Sequence, residues 1–451
     1  MDDTIVAIST ALGVGAISIV RVTGIDAISI VNQVFKGKDL TKQKTHTIHY
    51  GYIYDEDEKI DEVLVMLMCG PKTYTTFDTV EINCHGGIHT TKKVLEVLLK
   101  SGCRMAMPGE FTKMAFLNGR ISLIEAEAVN DLIVAKTDAA RTLALNNMSG
   151  LLKNKVQGLR EKLAQILANI EVNIDYPEYQ DEVLVTHDLL ENFLQDVEVE
   201  LKRLVDETKC GKIINEGIKV AIVGRPNVGK SSILNCFLEE DKAIVTDIAG
   251  TTRDIVEGAV SLNGVLLNFI DTAGIRQTSD IVEKMGVKKS REVALAADLV
   301  LFVVNYNEAI TEEDRQLLKE LKSQEVIVFV NKNDLECKID KKELAFYETV
   351  YGNTKSDYGL NALKEEILKR FSLDKIVVKD MTYLTNSRQV DLVEKAYRLF
   401  ANAFDSFKDR IPIDMIEIDL KEAWEILGEL IGESYKEELV DYIFSHFCLG
   451  K

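Results

Sequence analysis

The chain has 451 residues, 46% of them apolar and 28% charged, with none of the proline, serine or glutamine bias of disordered chains; it reads as about three folded domains. A net charge of −19 opposes non-specific attraction to nucleic acid, which rests on phosphate neutralisation by Lys and Arg, so any RNA contact has to be local. The start MDDTIVAIST lacks the basic segment of a signal peptide and no apolar run approaches the roughly 18 residues of a membrane span, which places the chain in the cytoplasm with no membrane partner, while seven scattered cysteines without a C-x-x-C pair suggest neither a disulfide framework nor a zinc site.

Residues 1–118 mix β-rich runs (TIVAIST, GAISIVRV, EVLVMLMC, DTVEINC) with one helical stretch near Thr90 to Lys100, an α+β pattern. From about Ile121 the apolar positions recur every three or four residues, as at Leu189, Leu190, Phe193, Leu194, Val197, Leu201, Leu204 and Val205, which predicts amphipathic helices over 119–215. Within this block Lys136 to Lys162 carries six basic against two acidic residues, and Asp175 to Glu200 carries nine acids and no Lys or Arg. Residues 216–375 alternate strands such as IKVAIVG, LLNFIDTAG, DLVLFVVN and EVIVFVNKND with helical segments, the mark of a parallel sheet built from βαβ units. Helical periodicity resumes over 376–451. The simplest architecture joins the two helical blocks into one all-α domain, interrupted by the α/β unit and preceded by the α+β domain.

Gly224-Arg-Pro-Asn-Val-Gly229-Lys230-Ser231 fits G-x-x-x-x-G-K-S between the strand KVAIVG and a helix from Ser232, the context a P-loop requires. Its backbone N–H groups would wrap a β-phosphate at a helix N-terminus, with Lys230 on the β/γ-phosphates and Ser231 on Mg²⁺. Asp271-Thr272-Ala273-Gly274 follows the strand LLNFI, so Asp271 would face Mg²⁺ and Gly274 the γ-phosphate. Asn331-Lys332-Asn333-Asp334 follows VIVFV and fits N-K-x-D, whose carboxylate accepts from guanine N1–H and N2–H₂; adenine offers no such donor pair, so the base read is guanine. Thr246-Asp247-Ile248-Ala249 and Gly250-Thr251-Thr252 supply a switch threonine, assigned as Thr252 on Mg²⁺. With Asn227, Val228 and Ser232 these four stretches form the expected nucleotide-binding set. The fifth element, Asn353-Thr354-Lys355, stands where S-A-K is usual and leaves base contacts to backbone.

The residue after D-x-x-G is Ile275, and an aliphatic side chain cannot orient the attacking water. Another polar group and another positive charge are needed, with Arg253 and Arg276 as candidate arginines. The runs TDIAGTTRD and DTAGIRQTSDIVEKMGV, with Asn227, resemble the G domain of the tRNA-modification GTPase MnmE (TrmE) family. The resemblance implies a K⁺ ion held by Asn227, Thr246, Ile248 (through its carbonyl) and Thr251 in place of an arginine finger. It also implies G domains that pair during turnover, and Glu283 positioning the attacking water beside Lys230.

The flanks extend the resemblance over essentially the whole chain. DTIVAISTALGVGAISIVRVTG, DTVEINCHGG and PGEFTKMAFLNGRISLIEAEAV are similar to the family's N-terminal domain, and IFSHFCLGK to its F-C-I-G-K ending. The family's N-terminal domain is folate-binding-like and dimerises, which implies a site for 5-formyl-tetrahydrofolate or a related tetrahydrofolate derivative at Arg21, Glu81, Arg120 and Lys451. In that set Glu81 would accept from pterin N–H groups while Arg and Lys pair with carboxylates. Cys448 is either a residue of the modification chemistry or a small core residue. Cys84 beside His85 and His89 lacks the ligand count and spacing of a zinc site.

The resemblance implies GTP/GDP as ligand, a homodimer through the N-terminal domain, and an FAD-dependent MnmG-like partner in a heterotetramer. With that partner the chain would help add an aminomethyl or carboxymethylaminomethyl group at C5 of the wobble uridine (U34) of certain tRNAs. Three other readings stand beside it: a ribosome-assembly GTPase switch, a one-carbon transferase merely regulated by GTP, and a non-catalytic GTP-binding scaffold motivated by Ile275. The first would carry an appended basic RNA-binding domain, and the C-terminal block is acidic.

Overall fold

The computed structural model describes residues 3–175, 187–240, 256–270, 293–354, 358–371, 373 and 383–451. Contacts divide the chain into two units, Met1–Asn130 with Met148–Leu184 and Asn402–Lys451, and Asp131–Asn147 with Val185–Ala401.

The first unit begins with β1 (Ile5–Ile8), β2 (Ile17–Thr23), α1 (Ala27–Val34), β3 (Phe35–Lys36), β4 (Thr47–Asp55), β5 (Glu58–Met68), β6 (Thr79–His85), α2 (Ile88–Lys100) and β7 (Arg104–Met105). Its seven-stranded sheet has the order β3-β4-β5-β6-β2-β1-β7, antiparallel except where β7 joins β1 in parallel. Successive strand residues point to opposite faces. Val6 therefore enters the core with Val20, Val65, Ile82 and the helix residues Val31, Val94 and Leu98, while its neighbours Ile5 and Ala7 pack on Phe111 and Met114 of α3 (Glu110–Leu117). The strand that is buried on both faces is the one next to Arg21.

Four helices follow: α4 (Leu123–Val134), α5 (Asp138–Met148), α6 (Leu151–Asp175) and α7 (His187–Glu216). The second unit then builds β8 (Ile218–Val223), α8 (Lys230–Glu240), β9 (Val256–Leu262), β10 (Val265–Ile270), β11 (Leu299–Asn305), α9 (Glu312–Glu320), β12 (Val326–Asn331), β13 (Glu348–Tyr351) and α10 (Tyr358–Arg370). The sheet order is β13-β12-β11-β8-β10-β9, parallel throughout except for β9. That strand is a hairpin partner of β10, turned by Asn263 (φ 50°) and Gly264 (φ 82°), the pair of positive φ values a type I′ turn demands.

Strands β11 and β12 are buried along their whole length, as continuous apolar runs covered by helices on both faces require. One face holds Ile222, Leu301, Val303 and Phe329 with Phe237 of α8, Leu363 of α10, Ile214 of α7 and Ala139, Ala140 and Leu143 of α5. The other holds Phe302, Val304 and Val328 with Leu318 of α9. Thus two helices that precede the α/β segment in sequence contribute to its core. From β8 the chain runs to the β9-β10 hairpin on one side and then crosses to β11 on the other, which puts the topological switch point of this open sheet at β8.

The chain ends in α11 (Ser387–Lys408), α12 (Ile413–Ile431) and α13 (Glu437–Ser445). In the first unit α12 packs along α6, so a helix before the α/β segment meets one after it. Arg160 of α6 lies over the Trp424 ring and pairs with Glu433. Among the described residues no helix is long and apolar enough to cross a membrane.

Candidate functional site

At the carboxyl end of β8 the loop 224–229 makes three backbone choices that most side chains resist: Gly224 has φ 146°, Asn227 φ 62° and Gly229 φ 103°. A Cβ on Gly224 would overlap the Val303 carbonyl, and one on Gly229 would overlap Asn331 Nδ2. The glycines of the motif are therefore required by close approach as well as by φ. Lys230 opens α8, and its Nζ donates to the Gly224 and Arg225 carbonyls, each at 2.7 Å. Burial holds the Lys230 pKa below the ordinary lysine value, and an anion brought beside it would favour the charged form and oppose that shift.

The N-K-x-D residues stand at the end of β12, two strands away, yet they are tied to this loop. Asn331, 1% exposed, donates from Nδ2 to the Val228 carbonyl at 2.8 Å, and its Oδ1 accepts from the N–H groups of Lys332 (2.8 Å) and Thr354 (3.3 Å). Lys332 has φ 61° and donates from Nζ to the Asn227 carbonyl at 3.1 Å. Asn333 N–H donates to Gly352 O at 3.2 Å, and Asp334 is exposed. Three of the expected elements thus meet: the P-loop, N-K-x-D and the Asn353-Thr354 turn. Thr246, Asp247, Ile248, Ala249, Gly250, Thr251, Thr252, Arg253, Asp271, Thr272, Ala273, Gly274, Ile275, Arg276, Glu283 and Lys355 lie outside the described residues.

A second cluster forms in the first unit. Arg21 on β2 and Glu81 on β6 are direct cross-strand partners, and Arg21 Nε donates to Glu81 Oε1 at 2.8 Å. Arg21 Nη1 donates to the Gly450 carbonyl at 3.2 Å, and the guanidinium lies 5.6 Å from the Phe111 ring centre. The last turn of chain is fastened here. Gly450 (φ 86°) also accepts from Ser9 Oγ at 3.1 Å, the Gly109 N–H donates to the Cys448 carbonyl at 3.3 Å, and Phe444 and Phe447 pack with Phe116 and Leu123. Lys451, held at the end of this anchor, has its pKa lowered first by burial and then by the charge of Arg21.

Arg120 joins the cluster through Tyr74. Its guanidinium sits 4.9 Å from the centre of the Tyr74 ring, and its Nη1 donates to the Tyr74 carbonyl at 3.1 Å. Burial raises the Tyr74 pKa, with its hydrogen bond to Thr112 and then the charges of Arg120 and Arg21 acting against the rise. Three cations and one carboxylate from four separate stretches converge, a set suited to a ligand with a hydrogen-bonding ring at one end and carboxylates at the other. Sequence reasoning passed over Tyr74 and Phe111, because aromatics 46 and 90 residues from the arginines they face carry no local signal.

Cys448 is exposed, so the core alternative for it fails. Cys84 points inward, its Sγ 3.4 Å from the Ser18 carbonyl, and burial raises its thiol pKa; the neighbouring His85 instead pairs with Asp61 through Nδ1–Oδ1 at 2.7 Å.

Residues 4–120 match the family described as GTP-binding protein TrmE N-terminus, and residues 123–448 match the MnmE helical domain. The chain is 51% identical over 457 residues to the tRNA modification GTPase MnmE of Bacillus mycoides, covering 100% of this chain and 99% of that one. It is 51% identical over 455 residues to the protein of the same name from Bacillus cytotoxicus, with the same coverage. Among solved structures, the G domain of the T. maritima FeoB iron transporter is 28% identical and covers 34% of this chain and 98% of that chain, with a TM-score of 0.25.

Proposed function

The chain belongs to the MnmE family of tRNA modification GTPases, and from that premise we propose that it hydrolyses GTP to support modification at C5 of the wobble uridine (U34) of certain tRNAs. The observation that carries the GTPase part is the pair of hydrogen bonds from Asn331 to Val228 and from Lys332 to Asn227, which fasten a base-reading motif to a phosphate-binding loop. In this reading Asp334 accepts from the guanine edge, Asn331 and Lys332 hold that reader against the P-loop, and Lys230 contacts the β/γ-phosphates.

Ser231 and Thr252 would hold Mg²⁺; Asn227, Thr246, Ile248 and Thr251 would hold K⁺. These cations would offset charge on the phosphate oxygens. The donor types fit, since hydroxyl, amide and carbonyl oxygens suit hard cations. Glu283 is the residue proposed to polarise water in place of the missing glutamine at Ile275.

The cluster of Arg21, Glu81, Arg120 and Lys451 would take a tetrahydrofolate derivative as one-carbon carrier, which supplies the carbon added to the base. The fit rests on Glu81 as acceptor beside Arg21, whose charge already opposes that of Lys451, with Arg120 held on Tyr74. An MnmG-like FAD protein, tRNA, a homodimer through the N-terminal domain, and a cytoplasmic setting complete the proposal. So does the four-part division at 118, 215 and 375. Family membership decides against the ribosome-assembly alternative.

The test is steady-state GTP hydrolysis by the intact protein in KCl and in NaCl, with Glu283→Ala alongside. Stimulation by K⁺ that collapses in the variant is expected. Equal rates in the two salts would remove the potassium assignment, and guanine nucleotides displaced equally well by ATP would remove the GTPase reading.

A further inference from the structure

The pattern G-x-x-x-x-G-K-S leaves its second position open, and in this chain Arg225 fills it with a side chain gripped from outside the loop. Nε lies 3.1 Å from Asp314 Oδ2, and Nη2 lies 3.1 Å from Glu308 Oε2. The Nε hydrogen is not directed at the Asp314 oxygen, so that contact is one of charges and not a hydrogen bond. Both carboxylates are themselves held. Asp314, 3% exposed, accepts on the same Oδ2 from Thr311 N at 3.0 Å and Thr311 Oγ1 at 2.9 Å, closing a capping box at the start of α9. Glu308 Oε1 accepts from Nδ2 of Asn305, the buried last residue of β11, at 2.7 Å.

The backbone of the same residue faces the phosphate lysine. The Arg225 carbonyl accepts from Lys230 Nζ at 2.7 Å, beside the Gly224 carbonyl at the same distance. One residue therefore links a buried, capped carboxylate on α9 to the ammonium at the start of α8. Held rigidly, that carbonyl confines a lysine whose four-carbon stem otherwise samples many rotamers, and confinement in the free protein lowers the ordering cost of binding.

We propose that Arg225 is a positioning residue for Lys230: Asp314 and Glu308 fix its side chain, the side chain fixes its carbonyl, and the carbonyl sets where the ammonium meets the phosphates. The inference rests on the reading of Lys230 as the phosphate-binding lysine. It makes α9, which touches no nucleotide in the proposed reading, a determinant of phosphate affinity.

A double-mutant cycle on the full chain tests it, with fluorescent GDP and a fluorescent non-hydrolysable GTP analogue as probes. Arg225→Ala is expected to weaken the analogue by roughly tenfold, the scale of losing a held charge pair, and Arg225→Lys to recover most of that loss. In a Lys230→Ala background the same Arg225→Ala change is expected to cost no more than about twofold, because the group it positions is gone. A purely structural role would cost the same in both backgrounds, and that result overturns the proposal, as does an unchanged affinity in the single variant. If Arg225→Ala does not fold, Asp314→Asn, which keeps the shape and removes the charge, carries the same comparison. Should Lys230→Ala alone bind both probes like the parent protein, the phosphate-site reading falls and takes the inference with it; a loss there with no coupling to Arg225 sinks the inference alone.

Discussion

Asn331 donates from Nδ2 to the Val228 carbonyl at 2.8 Å, so the end of the strand that carries the proposed guanine reader is bolted to the loop that carries the proposed phosphate lysine. Removing the amide leaves the carbonyl of Val228, 1% exposed, without that donor, and takes away an acceptor for Thr354 N–H. A buried group stripped of its partner costs about 1–3 kcal/mol. Asn331→Ala is therefore expected to lower the melting temperature and to weaken GDP. An unchanged melt and an unchanged GDP titration would show that the two loops hold their places independently.

Asp334 is exposed and its carboxylate has acceptors only, which suits the donor pair on guanine. Asp334→Asn keeps the shape but puts a donor where the guanine amino group also donates. Losing a hydrogen bond to a charged group costs about 1.5–3 kcal/mol, so GTP affinity is expected to fall on the order of 10- to 100-fold. Xanthosine triphosphate, which has a carbonyl in place of that amino group, is expected to gain. Competition titrations of the variant with both nucleotides check this, and a variant that still prefers GTP as strongly as the parent does refutes the assignment of the base.

Lys451 is shifted down in pKa, where the paired surface lysine Lys100 is shifted up. Burial first, then the like charge of Arg21, hold its pKa below 10.5, with Cys448 and Glu81 pulling the other way. Between that lowered value and 10.5 the unfolded chain binds the extra proton, so this group's contribution to stability rises with pH across the window. Binding of the proposed folate ligand is expected to run the other way, because its carboxylates would pair with the protonated amine. Affinity for 5-formyl-tetrahydrofolate is expected to fall as pH rises through the lowered pKa. Arg21→Gln removes the like charge, so the midpoint of the fall is expected to move to higher pH even though affinity is lower throughout. A midpoint that stays put in calorimetric titrations would separate Lys451 from Arg21.

His85 gives the reverse sign at the end of β6. Its Nδ1 pairs with Asp61 Oδ1 at 2.7 Å, and that hydrogen bond raises its pKa above 6.5. The stabilisation is fully present below 6.5 and is lost as pH rises through the raised folded value. Histidine proton shifts followed by NMR are expected to show His85 titrating later than a model imidazole, and Asp61→Asn to bring it back. A titration that ignores Asp61→Asn would mean the pair does not persist in solution.

How far the residues announced all this depends on what each pattern encodes. The P-loop and N-K-x-D were legible because phosphate and guanine impose both residue type and spacing, and the strands before them are continuous apolar runs. The partnership of Arg21 with Glu81 was not legible from spacing: it exists because β2 pairs with β6 at that register, 60 residues apart, and only the family resemblance pointed to it. Strand β9 breaks the βαβ rhythm as an antiparallel edge, and its one local signal is the hairpin pair Asn263-Gly264 between apolar runs. Helical periodicity predicts amphipathic helices over 119–215 but not that Ala139, Ala140 and Leu143 of α5 lie under the α/β sheet; a period tells which side is apolar, never what it meets.

The last prediction concerns the place where the chain passes into and out of the α/β segment. Asp131, 8% exposed near the end of α4, accepts from Thr385 Oγ1 at 2.6 Å and from Asn215 Nδ2 at 3.2 Å. Asn215 lies three residues before β8 and also donates to the Thr385 carbonyl at 3.3 Å, while Thr385 lies two residues before α11. One carboxylate thus staples the inward and outward crossings. At the same crossing α7 comes so near the outgoing chain that a Cβ on Gly211 would overlap the Leu384 carbonyl. Asp131→Ala strips two donors of their buried acceptor, and each such loss costs about 1–3 kcal/mol. Because the carboxylate acts on two points distant in sequence, the expected signature is local: faster amide exchange around Asn215 and Thr385, with strands β11 and β12 as protected as before. Exchange that rises uniformly over the whole second unit would mean that Asp131 supports the fold at large and does not act as a staple at its two crossings.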